Sequence, residues 1–412
     1  MLNFAMLSKT LLFSAIVFYL FSCKQPRDKQ IEENVACAEF SPLVHKKMHD
    51  WGKLFQTEVS FCESFPKTEG ELQRLLQTAD SKNISVRIRG RGHSMNGSTL
   101  PRQGELLIVT ENLRQYNWQS KEFIRVGGGI SIYALQQWLK ARGFSLPVFT
   151  DVLGPSVGGY ISASGISLDS QKYGGFWNNV NRVRLVDAKG EMYVLTPKDK
   201  DFKWLFGSMG QLGVIVEADL KIVPYKKPRF RQEIGIIAES LVAGPKGQPR
   251  DTEYESSHLV WFTVIAPIEK KSELMTDLLN IKAKYSDAIN YIPEYIWPVR
   301  KLNFTPPLFY PENRELICIG IWGMPKSDNL NNNKFLFGIS EDISNLITQK
   351  KYYRRYIQSE VYKTKIDWRE YWGEKIYSEF LQITKLYNPK GNLNQNCIFG
   401  CDSTYIEPST MP

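Results

Sequence analysis

A chain of 412 residues exceeds what one ordinary hydrophobic core organises and predicts two domains. Its 42% apolar and 13% aromatic content excludes an intrinsically disordered chain. The formal charge of +9, from 52 Lys and Arg against 43 Asp and Glu, is scattered; its densest run, KKYYRR at 350–355, is short and reads as a solvated basic face in preference to a nucleic-acid or anionic-membrane site, so no nucleic-acid partner is expected.

In chain order, Lys9 precedes an apolar run from Leu11 to Phe21, the length of a signal-peptide core and short for a membrane span. Leu20-Phe21-Ser22-Cys23 resembles the lipobox of bacterial lipoproteins, with a bulky Phe21. It implies removal of residues 1–22, a lipid on Cys23 and an extracytoplasmic, membrane-anchored enzyme; cleavage by the ordinary signal peptidase and an uncleaved anchor are the alternatives. Five cysteines remain (Cys37, Cys62, Cys318, Cys397 and Cys401), so at least one stays unpaired. Cys37–Cys62 and Cys397–Cys401 are the expected pairs in an oxidising compartment. No CxxC pair stands near paired histidines, so no metal is expected.

After a polar tether over about 24–36, FPKTEGELQRLLQTADSKN predicts a turn and an amphipathic helix, and ISVRIRGRG a strand entering a glycine turn. GELLIVTENL and EFIRVGGGI read as strands. SIYALQQWLKARG aligns Ile132, Leu135, Trp138 and Leu139 on one helix face, with Gly143 as its stop. VNRVRLVDAKGEMYVLT predicts a hairpin turning near Lys189-Gly190, and GVIVEADLKIVP a strand closed by Pro224. Beyond about residue 228 glycines thin out. Strands HLVWFTVIAPI and ELICIGIWGM then alternate with a lysine-rich helix at KKSELMTDLLNIKAKYSD. Between them, YIPEYIWPVRKLNFTPPLFYPENR is too proline-rich for helix and reads as an irregular segment, either pocket-lining or a packed surface loop. KSDNLNNNK reads as a loop, and DWREYWGEKIYSEFLQITKLYNPKGNL as one helix ending at Asn388-Pro389.

Four glycine groups, GRGHS (90–94), VGGG (126–129), GPSVGG (154–159) and GSMGQLG (207–213), stand at strand ends. None has the GxGxxG spacing that opens a helix in dinucleotide folds. Together they predict main-chain amides gathered round an extended anion such as a pyrophosphate, with ordinary tight turns as the plainer alternative.

RGRGHSMNG, FTDVLGPSVGGYISASGIS (149–167), GSMGQLGVIVEADLKIVP (207–224) and YNPKGNLNQNCIF (387–399), in this order, resemble the vanillyl-alcohol oxidase / p-cresol methylhydroxylase type of FAD-binding flavoprotein, and within it the cytokinin dehydrogenases. The resemblance implies an α+β fold. A two-part FAD-binding domain, 56–227 and 351–412, is interrupted by a smaller substrate domain, 228–350, built on an antiparallel sheet flanked by helices; 23–55 is a tether and N-terminal segment. It also implies covalent FAD, an 8α-histidyl link through His93, and only one link, because GPSVGG lacks the second cysteine of bicovalent relatives. By position, Gly90, Arg91, Gly92 and Ser94 surround the pyrophosphate with Ser98 nearby. Ser156, Ser162 and Ile166 follow, Ile215 backs the adenine, and Asn394 replaces a serine in a C-terminal run one residue shorter than the family's.

A flavin takes hydride at N5, so the chain must place a substrate C–H and accept a proton. The resemblance assigns the proton to Asp151, which by itself also reads as a turn acceptor after Thr150, with Glu294 in INYIPEYI and Tyr356 in RRYIQ as further active-site groups. A planar amine such as N6-isopentenyladenine suits a pocket lined by aromatics such as Tyr291, Tyr295, Trp297, Phe304 or Phe309. Oxygen or a quinone serves as electron acceptor. A sugar, polyol or other alcohol oxidase on the same fold is the alternative, and a non-catalytic, lipid-anchored binding protein is the alternative of another class.

Overall fold

The computed structural model describes Cys37 and residues 39–53, 55–149, 154–226, 260–287, 289–325, 333–359 and 368–395. Residues 1–36, which include the apolar run and Cys23, lie outside these, as do Thr150 to Leu153, Cys397 and Cys401.

The first sheet, in order β1-β2-β4-β3, joins β1 (Leu43–His49), β2 (Gln56–Ser64), β3 (Val86–Arg89) and β4 (Leu106–Val109). β1 and β2 pair antiparallel, joined through residues 50–55, whereas β4 runs parallel to both β2 and β3. A disulfide joins Cys37 to Cys62 on β2, the first of the two expected pairs. The helix α1 (Glu69–Ser81), capped by the Thr68 hydroxyl, connects β2 to β3 and buries Leu72, Leu76 and Ala79.

The second sheet is antiparallel throughout: β5 (Tyr116–Trp118), β6 (Phe123–Gly127), β10 (Val214–Lys221), β8 (Val180–Val186) and β9 (Met192–Leu195). Helix α2 (Ile132–Lys140), capped by Ser131, turns its Ile132, Leu135 and Leu139 inward as the apolar spacing predicts. It leads through β7 (Phe144–Ser145), which pairs with β11 (Val223–Pro224), to the short helices α3 (Val157–Ser162) and α4 (Ser170–Tyr173).

The third sheet, β13-β14-β12-β15, holds β12 (Val260–Pro267), β13 (Ile289–Val299), β14 (Leu316–Pro325) and β15 (Arg354–Arg355), with helices α5 (Lys271–Lys284) and α6 (Asn333–Gln349). Here the structure corrects the sequence reading: the first part of the proline-rich segment is an 11-residue strand. β13 lies at a sheet edge, where proline costs no ladder bond to a further strand, and Pro293 falls where the register slips between Ile292 and Tyr295. The single C-terminal helix is also corrected. Gly373, at φ +82°, divides it into α7 (Trp368–Trp372) and α8 (Glu374–Tyr387).

One core runs through both halves of the chain. Ile124, Leu135, Trp177 and Leu220 share it with Val299, Phe309, Cys318, Tyr356, Phe380 and Tyr387. The mixed helix and strand content with antiparallel sheets agrees with the expected α+β class.

Candidate functional site

β3 delivers the chain into the 90–94 turn, and close approach explains its glycines. A methyl group on Gly90 would lie 2.2 Å from the Ser156 Oγ, and one on Gly154 would lie 1.9 Å from Nε2 of His93. No Cβ tolerates such distances, so the 90–94 turn and the segment opening α3 interlock through main chain. Ser156 caps α3, its hydroxyl accepting from the Gly159 amide at 3.2 Å. Ser94 is buried, its hydroxyl 2.6 Å from Asn96 Oδ1 and 2.7 Å from the Ser98 hydroxyl. Asn96 in turn donates to the Ile357 carbonyl at 3.3 Å, tying this loop to the residue after Tyr356.

The other glycine groups converge on the same region. The Gly158 amide donates to the Gly128 carbonyl, and the Gly128 amide to the Val216 carbonyl, each at 2.8 Å; Ile215 packs against both glycines. The Ser162 carbonyl accepts from the amides of Gly207 (2.9 Å) and Met209 (3.1 Å). Asn394, in the left-handed region at φ +48°, joins three segments. Its amide donates to Val86, its Oδ1 accepts from the Ile88 amide at 2.8 Å, and its Nδ2 donates to the Met209 carbonyl at 3.2 Å. Ile166 is buried, and its carbonyl accepts from the Tyr160 hydroxyl at 2.7 Å.

The structure thus brings together Gly90, Gly92, His93, Ser94, Ser98 and Ser156, and anchors Ser162, Ile215 and Asn394 to the adjoining loops. Arg91 departs from this group, its exposed guanidinium pairing with Glu111 at 3.3 Å. Tyr356 is buried, edge-on to Trp261 at 5.5 Å, and burial holds its hydroxyl far above the usual tyrosine range. Phe309 is core, packed on Trp177 at 4.7 Å, and Trp297 and Phe304 are half-buried beside that core. Glu294 lies on β13 with Tyr291 and Tyr295, but the side chains of all three, like the whole of Asp151, fall outside the described residues.

Three residues escaped the sequence reading. Arg87 makes a buried two-point ion pair with Glu105 (3.0 and 3.2 Å) and donates to the Ser98 and Gln395 carbonyls. Arg89 lies under Gly92, where a methyl group would meet Nη2 at 2.3 Å; burial lowers its pKa, opposed by Asp50 and Glu63. Trp51 stacks on His93, with centroids 5.3 Å apart. The only available signal was the alternation of arginines in VRIRGRG, which reads equally well as a charged strand face.

Ser164 Oγ and Gln211 Oε1 in these loops, and the Asn392 side-chain amide beside Asn394, are buried with no hydrogen-bond partner in the protein. Such atoms call for a partner, and with the glycine-lined approach to His93 they fit a polar cofactor lying across the loops. Among the described residues no cluster of His, Cys, Asp or Glu is placed to hold a metal ion, and no helix is long and apolar enough to cross a membrane.

Comparison with known proteins agrees. A family described as FAD binding domain matches residues 62–196. Cytokinin dehydrogenase 1 of Arabidopsis thaliana is 31% identical over 247 residues, 58% of this chain and 41% of that protein. Cytokinin dehydrogenase 9 of Oryza sativa subsp. japonica is 28% identical over 163 residues, 38% and 31% of the two chains. Decaprenylphosphoryl-beta-D-ribose oxidase of Mycolicibacterium smegmatis is 25% identical over 233 residues, 55% and 50% of the two chains. The matches span half or less of the length of each of these relatives.

Proposed function

The chain carries an FAD-binding domain of the p-cresol methylhydroxylase type, and on that premise we propose that it is an FAD-dependent oxidoreductase acting on an amine C–H bond, with FAD tethered through His93. The observation that carries this reading is the lodging of the His93 ring against the Gly154 backbone, where the glycine loops meet. FAD, when bound, supplies a hydride acceptor at N5. Gly90, Gly92, Ser94, Ser98 and Ser156 would hold its pyrophosphate side, and Ser162, Ile166, Ile215 and Asn394 the adjoining loops; Arg91 would take part only by leaving Glu111. The tether keeps the cofactor in place outside the cell's FAD supply.

Asp151 accepts the proton from the substrate N–H. Two residues, Val152 and Leu153, lie between it and Gly154, and three steps of up to about 3.6 Å bound the distance between their Cα atoms to roughly 11 Å. Tyr356 stays protonated because burial raises its pKa, so its part is that of a donor and a wall, and Glu294 is a second acidic group toward the substrate. The substrate is an N6-substituted adenine, a reading supported by the relatives named cytokinin dehydrogenase, and the acceptor is oxygen or a quinone. The relative named decaprenylphosphoryl-beta-D-ribose oxidase supports a second reading, oxidation of a sugar or other alcohol.

The test is an absorbance scan of purified protein after acid precipitation and, separately, anaerobically with N6-isopentenyladenine. Flavin colour is expected in the wild-type pellet and in the supernatant of His93→Ala, and the native protein should bleach with the adenine. Retained colour without bleaching moves the substrate to alcohols or sugars. A colourless protein overturns the whole reading.

We further place the enzyme outside the cytoplasm on a lipid at Cys23, on the strength of the Leu11-to-Phe21 run and the lipobox-like tetrad. In a bacterial host, Cys23→Ala should lose incorporation of labelled palmitate; undiminished labelling rejects the anchor.

A further inference from the structure

The turn between β1 and β2 belongs to no glycine group, yet it grips the loop that bears His93 at several points. The Trp51 amide donates to the Ser94 carbonyl at 3.0 Å, immediately after the histidine. Its indole lies 26° from the imidazole plane with centroids 5.3 Å apart. Phe55 packs against Gly97, where a methyl group would sit 3.1 Å from the Phe55 Cβ. Fully buried Asp50 acts electrostatically on Arg89, the guanidinium beneath Gly92. A histidine flanked by Gly92, at φ +74°, has little stiffness of its own.

We propose that Trp51 is a positioning residue for His93, its indole fixing the imidazole plane from which the bond to FAD is made. The proposal rests on the covalent reading of His93 given above. Linkage joins an imidazole nitrogen to the 8α carbon of FAD with loss of one N–H and one C–H hydrogen. The two protons and two electrons released reduce dioxygen to hydrogen peroxide, one per link. Because the reacting nitrogen must meet one carbon at one angle, ring orientation enters the rate of linkage and not the affinity for FAD.

Flavin-free protein, purified from a riboflavin-starved host, is mixed with FAD in air. Binding is followed by quenching of flavin fluorescence, linkage by flavin fluorescence of the acid pellet, and hydrogen peroxide is counted. Trp51→Ala should lower the saturating linkage rate roughly 10- to 100-fold while the half-saturating FAD concentration moves less than about twofold. Trp51→Phe should restore most of the rate. Should Trp51→Ala fail to fold, Trp51→Phe against Trp51→Leu separates stacking from bulk: Phe keeps most of the wild-type linkage rate, and Leu links as slowly as expected for Ala. Wild-type linkage in Trp51→Ala or Trp51→Leu overturns the role, as does a loss of FAD affinity that accounts for the slower rate. A wild-type protein whose flavin never resists acid overturns the covalent reading, and this inference with it.

Discussion

At Gly154 one hydrogen atom is all the space permits. A methyl group there would overlap His93 Nε2 at 1.9 Å, so Gly154→Ala must displace either the imidazole or the segment that opens α3. Overpacking of this kind costs about 1–3 kcal/mol of stability. The variant should therefore fold with a lowered melting temperature, and its flavin should pass into the acid supernatant; acid-stable flavin at the wild-type level would refute the contact. His93 itself was legible because GRGHS is a local pattern. Arg87 and Arg89 were not. On a strand, alternate arginines read as a solvated face, and only the return of the C-terminal segment and the β1–β2 turn covers them.

Among the elements, those with clean periodicity were legible: α1, α2, the β8–β9 hairpin, β10, β12, β14 and α5 all fall where the sequence predicts them. β1 was missed because LVHKKMH is mostly polar and leaves one face to solvent, and α6 because an asparagine-rich run precedes it. β13 was hidden by prolines that only its edge position accommodates. Between α5 and the turn before β15, Glu273 accepts from Lys270 and Lys350, each at 3.0 Å, and from the Tyr352 hydroxyl. These donors, Tyr352 first, hold its carboxyl down to about 2, against an ordinary value of 4.5. A carboxylate depressed on folding stabilises the folded state above its unfolded pKa and loses that contribution as pH falls toward the folded value. Glu273→Gln should thus melt below wild type at pH 6, and the gap should close as pH drops from about 4.5 toward 2. A gap independent of pH would mean the group acts by shape alone.

For the whole molecule, the α+β class was implied by the family resemblance, and the cofactor region by the order of its glycine groups. What no local pattern contained was their closure: Ser156 on Gly90, Gly158 on Gly128 and Asn394 on Met209 are contacts between distant segments. The shared core has the same character, running from Ile124 to Tyr387 without regard to the change in sequence texture near residue 228.

The stitch made by Asn394 also fixes a sequence in time. Its partner Ile88 lies 306 residues upstream, and the Gln395 carbonyl meets Arg87 across 308. Contacts so far apart in the chain are slow to form, and neither exists until more than 300 residues beyond Arg87 and Ile88 have been synthesised. The glycine loops are therefore synthesised well before the segment that closes them, and the cofactor meets a finished cradle only once Asn394 has arrived.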